Sequence, residues 1–296
     1  MANLKELRLR IKAVKNTQKI TSAMSQIASA RLRKAQNALS AARPYGERMR
    51  EVVQHLVAGI DPSERAAAHP MLEDRGEGRT LLIAMTADRG LCGGFNTNIN
   101  RATANFLEAE RKAGREPILV AVGRKSQSYF RHYGEDIAGR TYEAPDSKTL
   151  VDLSKTIASA AMERFLSDDK SVRIDRVVLL YNHFVSVLTQ EPRELQLLPL
   201  SADESDDAPT REPTFEPDRG SILEHLVPVA VESLIQQAMF NSVAAEIAAR
   251  RVAMDAATDN ASGIIADLTL EYNRERQAAI TTELMEIIGG AEALKG

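Results

Sequence analysis

An α/β fold with a long antiparallel coiled coil is the class this sequence predicts, on three observations. From Ala2 to Arg43 there is neither proline nor glycine, and from Val229 to Ile288 there is no proline and one glycine, Gly263. Proline and glycine are the strongest helix breakers, so both ends read as continuous helices. Between them, apolar runs of strand length alternate with helix-length segments. Finally, charge is segregated: residues 1–50 hold twelve Lys/Arg against two Glu, and residues 221–296 hold five Lys/Arg against eleven Asp/Glu. Ends of opposite sign are expected to face each other or charged partners.

Helices this long run on the order of 60–100 Å at about 1.5 Å per residue. In water they need a packing partner, and the simplest one is the other end of the chain. The first segment carries a stripe in steps of three and four: Leu4, Leu7, Ile11, Val14, then Ala28, Leu32, Ala35, Leu39 and Ala42. In its middle the stripe falls on Gln18, Thr21 and Ser25, while Ile20, Met24 and Ile27 form a second, neighbouring apolar face. Two faces suggest one for the paired helix and one for another protein; drift of a single stripe around the helix gives the same pattern. Pro44 and Gly46 are expected to kink or interrupt the helix, which resumes through Val52, Val53, Leu56 and Val57. This makes 1–58 the first helix. Residues 59–77, rich in charge, glycine and proline, read as a linker.

The next region, 78–205, reads as a Rossmann-like α/β domain. Thr80–Ala87, Pro117–Val122 and Arg176–Asn182 are buried strands by their apolar runs. Helices are expected near Asn98–Lys112, Ser126–Tyr133 and Leu150–Leu166. The last of these aligns Leu153, Ile157, Ala160, Ala161 and Arg164 on one face. Val185–Thr189 and Glu194–Leu200 are expected as a strand pair around Pro192. Alternation of this kind indicates a largely parallel sheet with helices on its faces. Residues 206–220 lie in an acidic, proline-bearing loop, and 221–296 form the second long helix, with Ile264, Leu268, Tyr272, Ile280, Leu284 and Ile287 as recurring apolar positions.

Composition excludes several classes. The single cysteine, Cys92, permits no intrachain disulfide, which points to a reducing compartment. The opening MANLKELRLRIKAVKN has no apolar core of signal-peptide length, and no apolar run approaches the roughly 20 residues that span a bilayer. A soluble chain that reaches a membrane through partners is therefore expected. No two of the five histidines have helical metal-site spacing, and no carboxylate pair stands out. No metal, cofactor or catalytic residue is expected. The turn Arg89-Gly90-Leu91-Cys92-Gly93-Gly94-Phe95-Asn96 follows a strand but is neither GxGxxG nor GxxxxGK[ST]. Gly90, Gly93 and Gly94 read as a structural turn rather than a phosphate cradle. The basic N-terminal face, with Lys12, Lys15 and Lys19, has no interleaved aromatic residues and has an acidic counterpart in the chain. A protein-facing surface fits it better than nucleic acid.

Four segments carry a resemblance: Ile11–Met24 (IKAVKNTQKITSAM), Asp88–Asn96 (DRGLCGGFN), Ala256–Ala261 (AATDNA) and Tyr272–Thr281 (YNRERQAAIT). In this order, over nearly the whole chain, the sequence resembles the gamma subunits of bacterial F-type ATP synthases. The resemblance implies a central rotor shaft whose end helices form a left-handed antiparallel coil. The coil turns inside three alpha and three beta subunits per copy, and the globular domain rests with epsilon on the c-ring. The assembly would lie at the cytoplasmic face of the inner membrane, with this chain peripheral. The role implied is to couple proton flow to ATP synthesis and to regulate ATPase activity, with catalysis in beta. It also implies rotor–beta contacts at Met24, Arg251, Gln277, Thr281, Glu283 and Glu286. Ile247 stands where the family often carries a polar residue. On this reading Gln18, Thr21 and Ser25 suit a sliding outer surface, and Ile280, Leu284, Ile287 and Ile288 suit an end bearing.

Overall fold

The computed structural model describes residues 2–76, 78–135, 137–138, 141–146, 148–200 and 218–293. Most of the acidic segment expected as a loop, 201–217, lies outside the described residues. In chain order the elements are α1 (Ala2–Ala58), α2 (Arg65–Ala68), a 3-10 turn (Pro70–Leu72), β1 (Arg79–Met85), α3 (Phe95–Lys112), β2 (Glu116–Val122), α4 (Arg124–His132), α5 (Leu150–Phe165), β3 (Arg176–Phe184), β4 (Gln190–Leu198) and α6 (Arg219–Ala293). The chain divides into two compact units. One joins residues up to Ser29 with those from Arg250 onward, and the other is Ala30–Ala249.

The expected interruption does not occur: α1 is one continuous helix that runs through Pro44. Proline removes the bond to the carbonyl four residues earlier. Ser40 and Pro44 are both exposed, so solvent can reach that carbonyl. α6 likewise runs through Pro228, four residues after the exposed Glu224.

The Ala30–Ala249 unit is built on a four-stranded sheet of order β2-β1-β3-β4. β1 pairs in parallel with β2 and with β3, and β4 pairs antiparallel with β3 at the edge. Alternation sends Leu82, Ala84, Val178 and Leu180 to one face, where they meet Ile99, Phe106 and Leu107 of α3 and Phe130 of α4. Leu81, Ile83, Val177 and Leu179 go to the other face. There they join a core with Val53 and Val57 of α1, Ile157 and Phe165 of α5, and Leu223, Val227, Val231 and Ile235 of α6. The sheet is therefore covered on both sides, as parallel strands require.

One expected strand is wrong. Val185–Thr189 is not a strand but the turn between β3 and β4, closed by the Val185 and Ser186 amides donating to the Thr189 carbonyl at 3.3 and 3.0 Å. β3 keeps pairing through Phe184 with Gln190, so the turn starts later. Pro192 sits inside β4, opposite Asn182. An edge strand tolerates the missing donor because it has a neighbour on one side only. The 59–77 stretch, expected as a linker, buries Met71 and Leu72 in the core. The Met71 carbonyl accepts from the Leu200 amide at 3.0 Å.

Two buried ionisable groups make this unit sensitive to acid. His69 is buried, and its Nδ1 accepts from the Met71 amide at 3.1 Å. Burial pushes its pKa down, against a smaller upward pull from Glu224. Glu110 accepts two bonds from Arg115, at 2.9 and 2.7 Å, and one from the Thr80 hydroxyl at 2.6 Å. The Arg115 hydrogen bonds hold its carboxyl below the usual carboxylate range. For both groups the folded pKa is depressed. Their contribution is present above the unfolded pKa and is lost as pH falls through the folded one. His69 acts first, below the usual imidazole range, and Glu110 only in stronger acid. The urea midpoint followed by circular dichroism should fall between pH 7.5 and 5.5, and His69→Asn, which keeps an acceptor without a titrating ring, should flatten that slope. An unchanged slope in the variant would remove His69 from the account.

Candidate coupling surface

In the unit formed by the two chain ends, α1 and α6 pair antiparallel. Arg8 donates to the Tyr272 hydroxyl at 2.7 Å, and the Gln18 Nε2 donates to the Ser262 hydroxyl at 2.8 Å. The Thr21 and Thr258 hydroxyls lie 2.7 Å apart, and the Ser25 hydroxyl donates to Asp255 Oδ1. As numbers rise along α1 they fall along α6, at one register throughout. Leu7, Thr21, Ser25 and Ala28 are buried, with Leu4, Ile11, Val14 and Gln18 half-buried. On α6 the covered positions are Met254, Thr258, Ala261, Ile265, Leu268 and Tyr272, in steps of four and three. That 3.5-residue period is the seam of a left-handed coil.

Two expectations change here. The stripe on α6 passes through Ile265, not Ile264, which is exposed. Gln18, Thr21 and Ser25 do not form an outer sliding surface; they lie in the seam, bonded across it. The short side chains of Thr21 and Ser25 let the helices approach, and in any other register the three bonds across the seam would be lost. Such groups fix alignment and contribute about 0.5–1.5 kcal/mol each. Thr21→Val alone should cost about 1 kcal/mol, and Thr258→Val should add much less once Thr21 is gone. A double-mutant cycle on the urea midpoint of helical circular dichroism measures this, and additive losses would show that the pair is not coupled.

The family-derived contact positions fall into two groups. Met24 is half-buried and adjoins Ser25, whose partner Asp255 lies 3.7 Å from Nε of the half-buried Arg251. On this register Met24 and Arg251 lie within about 8 Å of each other along the pair, at 1.5 Å per residue, near the Ser25–Asp255 bond. Gln277, Thr281, Glu283 and Glu286 are exposed and lie about 39 Å or more along α6 from Arg251, at 1.5 Å per residue. Thr281 donates back to the Gln277 carbonyl at 3.0 Å, and neither glutamate has an ion pair among the described residues. Ala279 is the last described position on α6 that is even half-buried. Beyond it Ile280, Leu284, Met285, Ile287 and Ile288 are 51–70% exposed. A helix end with five bare apolar side chains is a protein-contact surface by composition. Outside the seam of α1, Ile20 and Ile27 are likewise exposed, beside the exposed Lys12, Lys15 and Lys19.

Sequence reasoning does not single out Asp255, Thr258 and Ser262. Their spacing of three and four mirrors Gln18, Thr21 and Ser25, and that match is the signal that could find them.

The glycine turn belongs to the other unit and joins β1 to α3. Gly93 takes a φ of 55°, and Leu91 takes 62°. Gly94 has an ordinary φ of −80°, and Gly90 does not enter the left-handed region either. Of the three glycines, Gly93 alone therefore needs its missing side chain for backbone freedom. Asn96 locks the turn: its Oδ1 accepts from the Ala87 amide at 2.9 Å, and its Nδ2 donates to the Arg89 carbonyl at 3.3 Å and to Cys92 Sγ at 3.1 Å. Cys92 is buried with Phe95, against Ala245 and Ala249 of α6. Asp88 Oδ1 accepts from the amides of Arg124 and Ala144, at 2.9 and 3.0 Å. The turn's polar groups are thus committed to internal structure.

A family model described as ATP synthase matches residues 3–294. The ATP synthase gamma chain of Desulforamulus reducens is 41% identical over 296 residues, covering all of both chains. That of Sorangium cellulosum is 39% identical over 327 aligned residues, again covering all of both. Among solved structures, a chain of the Euglena gracilis mitochondrial ATP synthase, from its OSCP/F1/c-ring structure, superposes with a TM-score of 0.69 at 20% identity. It covers 99% of this chain and 95% of that one. At that identity the likeness speaks for the fold: two long helices on a small mixed sheet. The full-length identity near 40% speaks for more, and on it the chain belongs to the ATP synthase gamma chain family.

Proposed function

We propose that the chain is the central shaft of a proton-translocating ATP synthase, a non-catalytic subunit that transmits rotation between the membrane sector and the catalytic ring. The observation that carries this reading is the end-to-end pair, held in one register by a polar ladder and finished by a single bare apolar helix, in a chain of this family. A shaft must resist bending and slippage, and two helices tied across a seam do so better than one. Its end must turn in a collar without locking, which favours apolar contact over fixed ion pairs.

In this reading three alpha and three beta subunits surround the chain-end unit. The sheet-bearing unit, with 78–205 as its α/β portion, meets epsilon and the c-ring. Met24 and Arg251 would face beta at one level, and Gln277, Thr281, Glu283 and Glu286 would face the collar region. Proton flow turns the shaft, and its asymmetry takes each beta subunit through its states in turn. Reversal drives pumping, and grip on the shaft regulates both. Among the described residues no helix is long and apolar enough to cross a membrane. The reading therefore places the chain peripherally, at the cytoplasmic face of the inner membrane, held there by partners.

Coexpression with alpha and beta subunits tests it. A stable complex with one copy of this chain to three of each is expected. A chain that remains a monodisperse monomer beside assembled alpha and beta would overturn the reading.

A further inference from the structure

The outward faces of the paired stretch of α1 and α6 are slim except at one level. Leu9 lies two residues, about 200° around the helix, from both the buried Leu7 and the half-buried Ile11, so it stands on the side of α1 away from α6. Asn16 and Ala23 continue that outward line at intervals of seven. On α6 Leu270 stands in the same way between the half-buried Leu268 and Tyr272, and Gly263 and Ala256 lie on its line. Leu9 and Leu270 are 58% and 73% exposed, whereas the other four are small or polar. The two leucines also share a level. The bonds across the seam pair Arg8 with Tyr272, Gln18 with Ser262, Thr21 with Thr258 and Ser25 with Asp255. That register sets Leu9 opposite Leu270 or its neighbour Glu271. Single exposed leucines are common on protein surfaces. Two of them back to back at one height, on lines that are otherwise slim, make an apolar ridge on both sides of the pair.

No flat partner covers both leucines, because they face opposite ways; a partner that encloses the pair covers both at once. Leu270 is also continuous with the bare end of α6, standing on one line with Gln277 and the exposed Leu284 at intervals of seven. We propose that Leu9 and Leu270 form a belt that bears on an apolar collar enclosing both helices, about 15 Å along α6 before Ile280 at 1.5 Å per residue. In the rotor reading, on which this inference rests, the surrounding alpha and beta subunits supply the collar through uncharged, apolar side chains. Leucine suits a surface that must turn, because apolar contact has no preferred direction, whereas hydrogen bonds have strict angles and would hold one orientation. α1 then takes part in the bearing, and side load falls on the tied pair rather than on the single helix beyond Ala279.

Thiol protection tests the belt. Leu9→Cys and Leu270→Cys are made separately in the full-length chain, with Asn16→Cys, one heptad further on the same outward line, as the reference position. All three sites are exposed, so the substitutions leave the seam intact, and the buried Cys92 gives a slow background common to all. Maleimide labelling is timed on each free chain and on each chain assembled with alpha and beta subunits. In the free chain all three thiols should react quickly. In the complex the Leu9→Cys and Leu270→Cys thiols should slow by about tenfold or more, since rate follows access, and the Asn16→Cys thiol by no more than about threefold. The belt is overturned if either leucine position reacts in the complex as fast as in the free chain. It is also overturned if Asn16→Cys slows as much as they do, because the ring would then shield the shaft along its length. Both results leave the rotor reading standing. Failure of the unaltered chain to assemble overturns the rotor reading, and the belt with it.

Discussion

Gly123→Val should destabilise the sheet-bearing unit by about 3 kcal/mol or more, from left-handed strain together with overpacking. Gly123 closes β2 and opens α4 with a φ of 92°. A Cβ there would sit 2.2 Å from the Thr86 carbonyl oxygen, a backbone atom that no rotamer change removes. Thr86 is itself tied into the junction. Its amide donates to the Val122 carbonyl at 2.8 Å, and its hydroxyl accepts from the Ser126 amide at 2.9 Å. Relieving the clash therefore means separating the end of β1 from the start of α4. Gly114 provides the control, with a φ of 78° and nothing within 4 Å of an added Cβ. Gly114→Ala should cost about 1–2 kcal/mol, the left-handed penalty alone. Urea unfolding followed by circular dichroism separates the two effects. Equal losses would show that the approach of Thr86 is not the cause.

The contrast between these glycines bears on what the amino-acid sequence reveals. Both are simply glycines there, and the 2.2 Å approach exists only once β1 and β2 are side by side. Features set by local chain chemistry were legible. The breaker-free ends are α1 and α6, and the apolar runs read at 80–87, 117–122 and 176–182 fall on the three parallel strands, which span 79–85, 116–122 and 176–184. Features set by a partner surface were not. Ile264 and Ile265 are equivalent on paper, and only the α1 register decides which is covered. Gln18, Thr21 and Ser25 read as a sliding surface on the rotor resemblance; the ladder of Ser262, Thr258 and Asp255 opposite makes them a seam. Val185–Thr189 has strand-like composition, but pairing of Phe184 with Gln190 turns it into a loop. The contact positions came from family resemblance. The fold ties Ser25, next to Met24, to Asp255 and Arg251, while the Gln277–Glu286 group stays apart on the bare end of α6.

That junction makes Met24→Lys the substitution with the largest expected effect on coupling. In the assembled complex, ATP hydrolysis should stay within about threefold of the parent, a change of under 1 kcal/mol in barrier, while proton pumping per ATP falls by more than half. Met24 is half-buried at the level where Asp255 accepts from Ser25 and lies 3.7 Å from Arg251 Nε. A lysine there is expected to carry its ammonium, on a flexible four-carbon stem, toward the same carboxylate. On the free chain the competition is weak, because exposed ion pairs contribute about 1 kcal/mol or less. Where surrounding subunits cover this part of the shaft, solvent screening falls. A cation displaced from Asp255, whether the introduced ammonium or the Arg251 guanidinium, then finds its counter-charge on the surrounding protein, where removing a desolvated charge from its partner costs several kcal/mol. The shaft is held in one angular state more firmly than in the others, so turnover and rotation lose their fixed ratio. Arg251→Gln in the Met24→Lys background removes the competing cation and should restore much of the pumping. Proton uptake into inverted vesicles, measured against phosphate release in the same sample, gives the ratio directly. Equal pumping per ATP in parent and Met24→Lys complexes would exclude this level of the shaft from coupling, and failure of the second substitution to restore it would exclude competition for Asp255 as the cause.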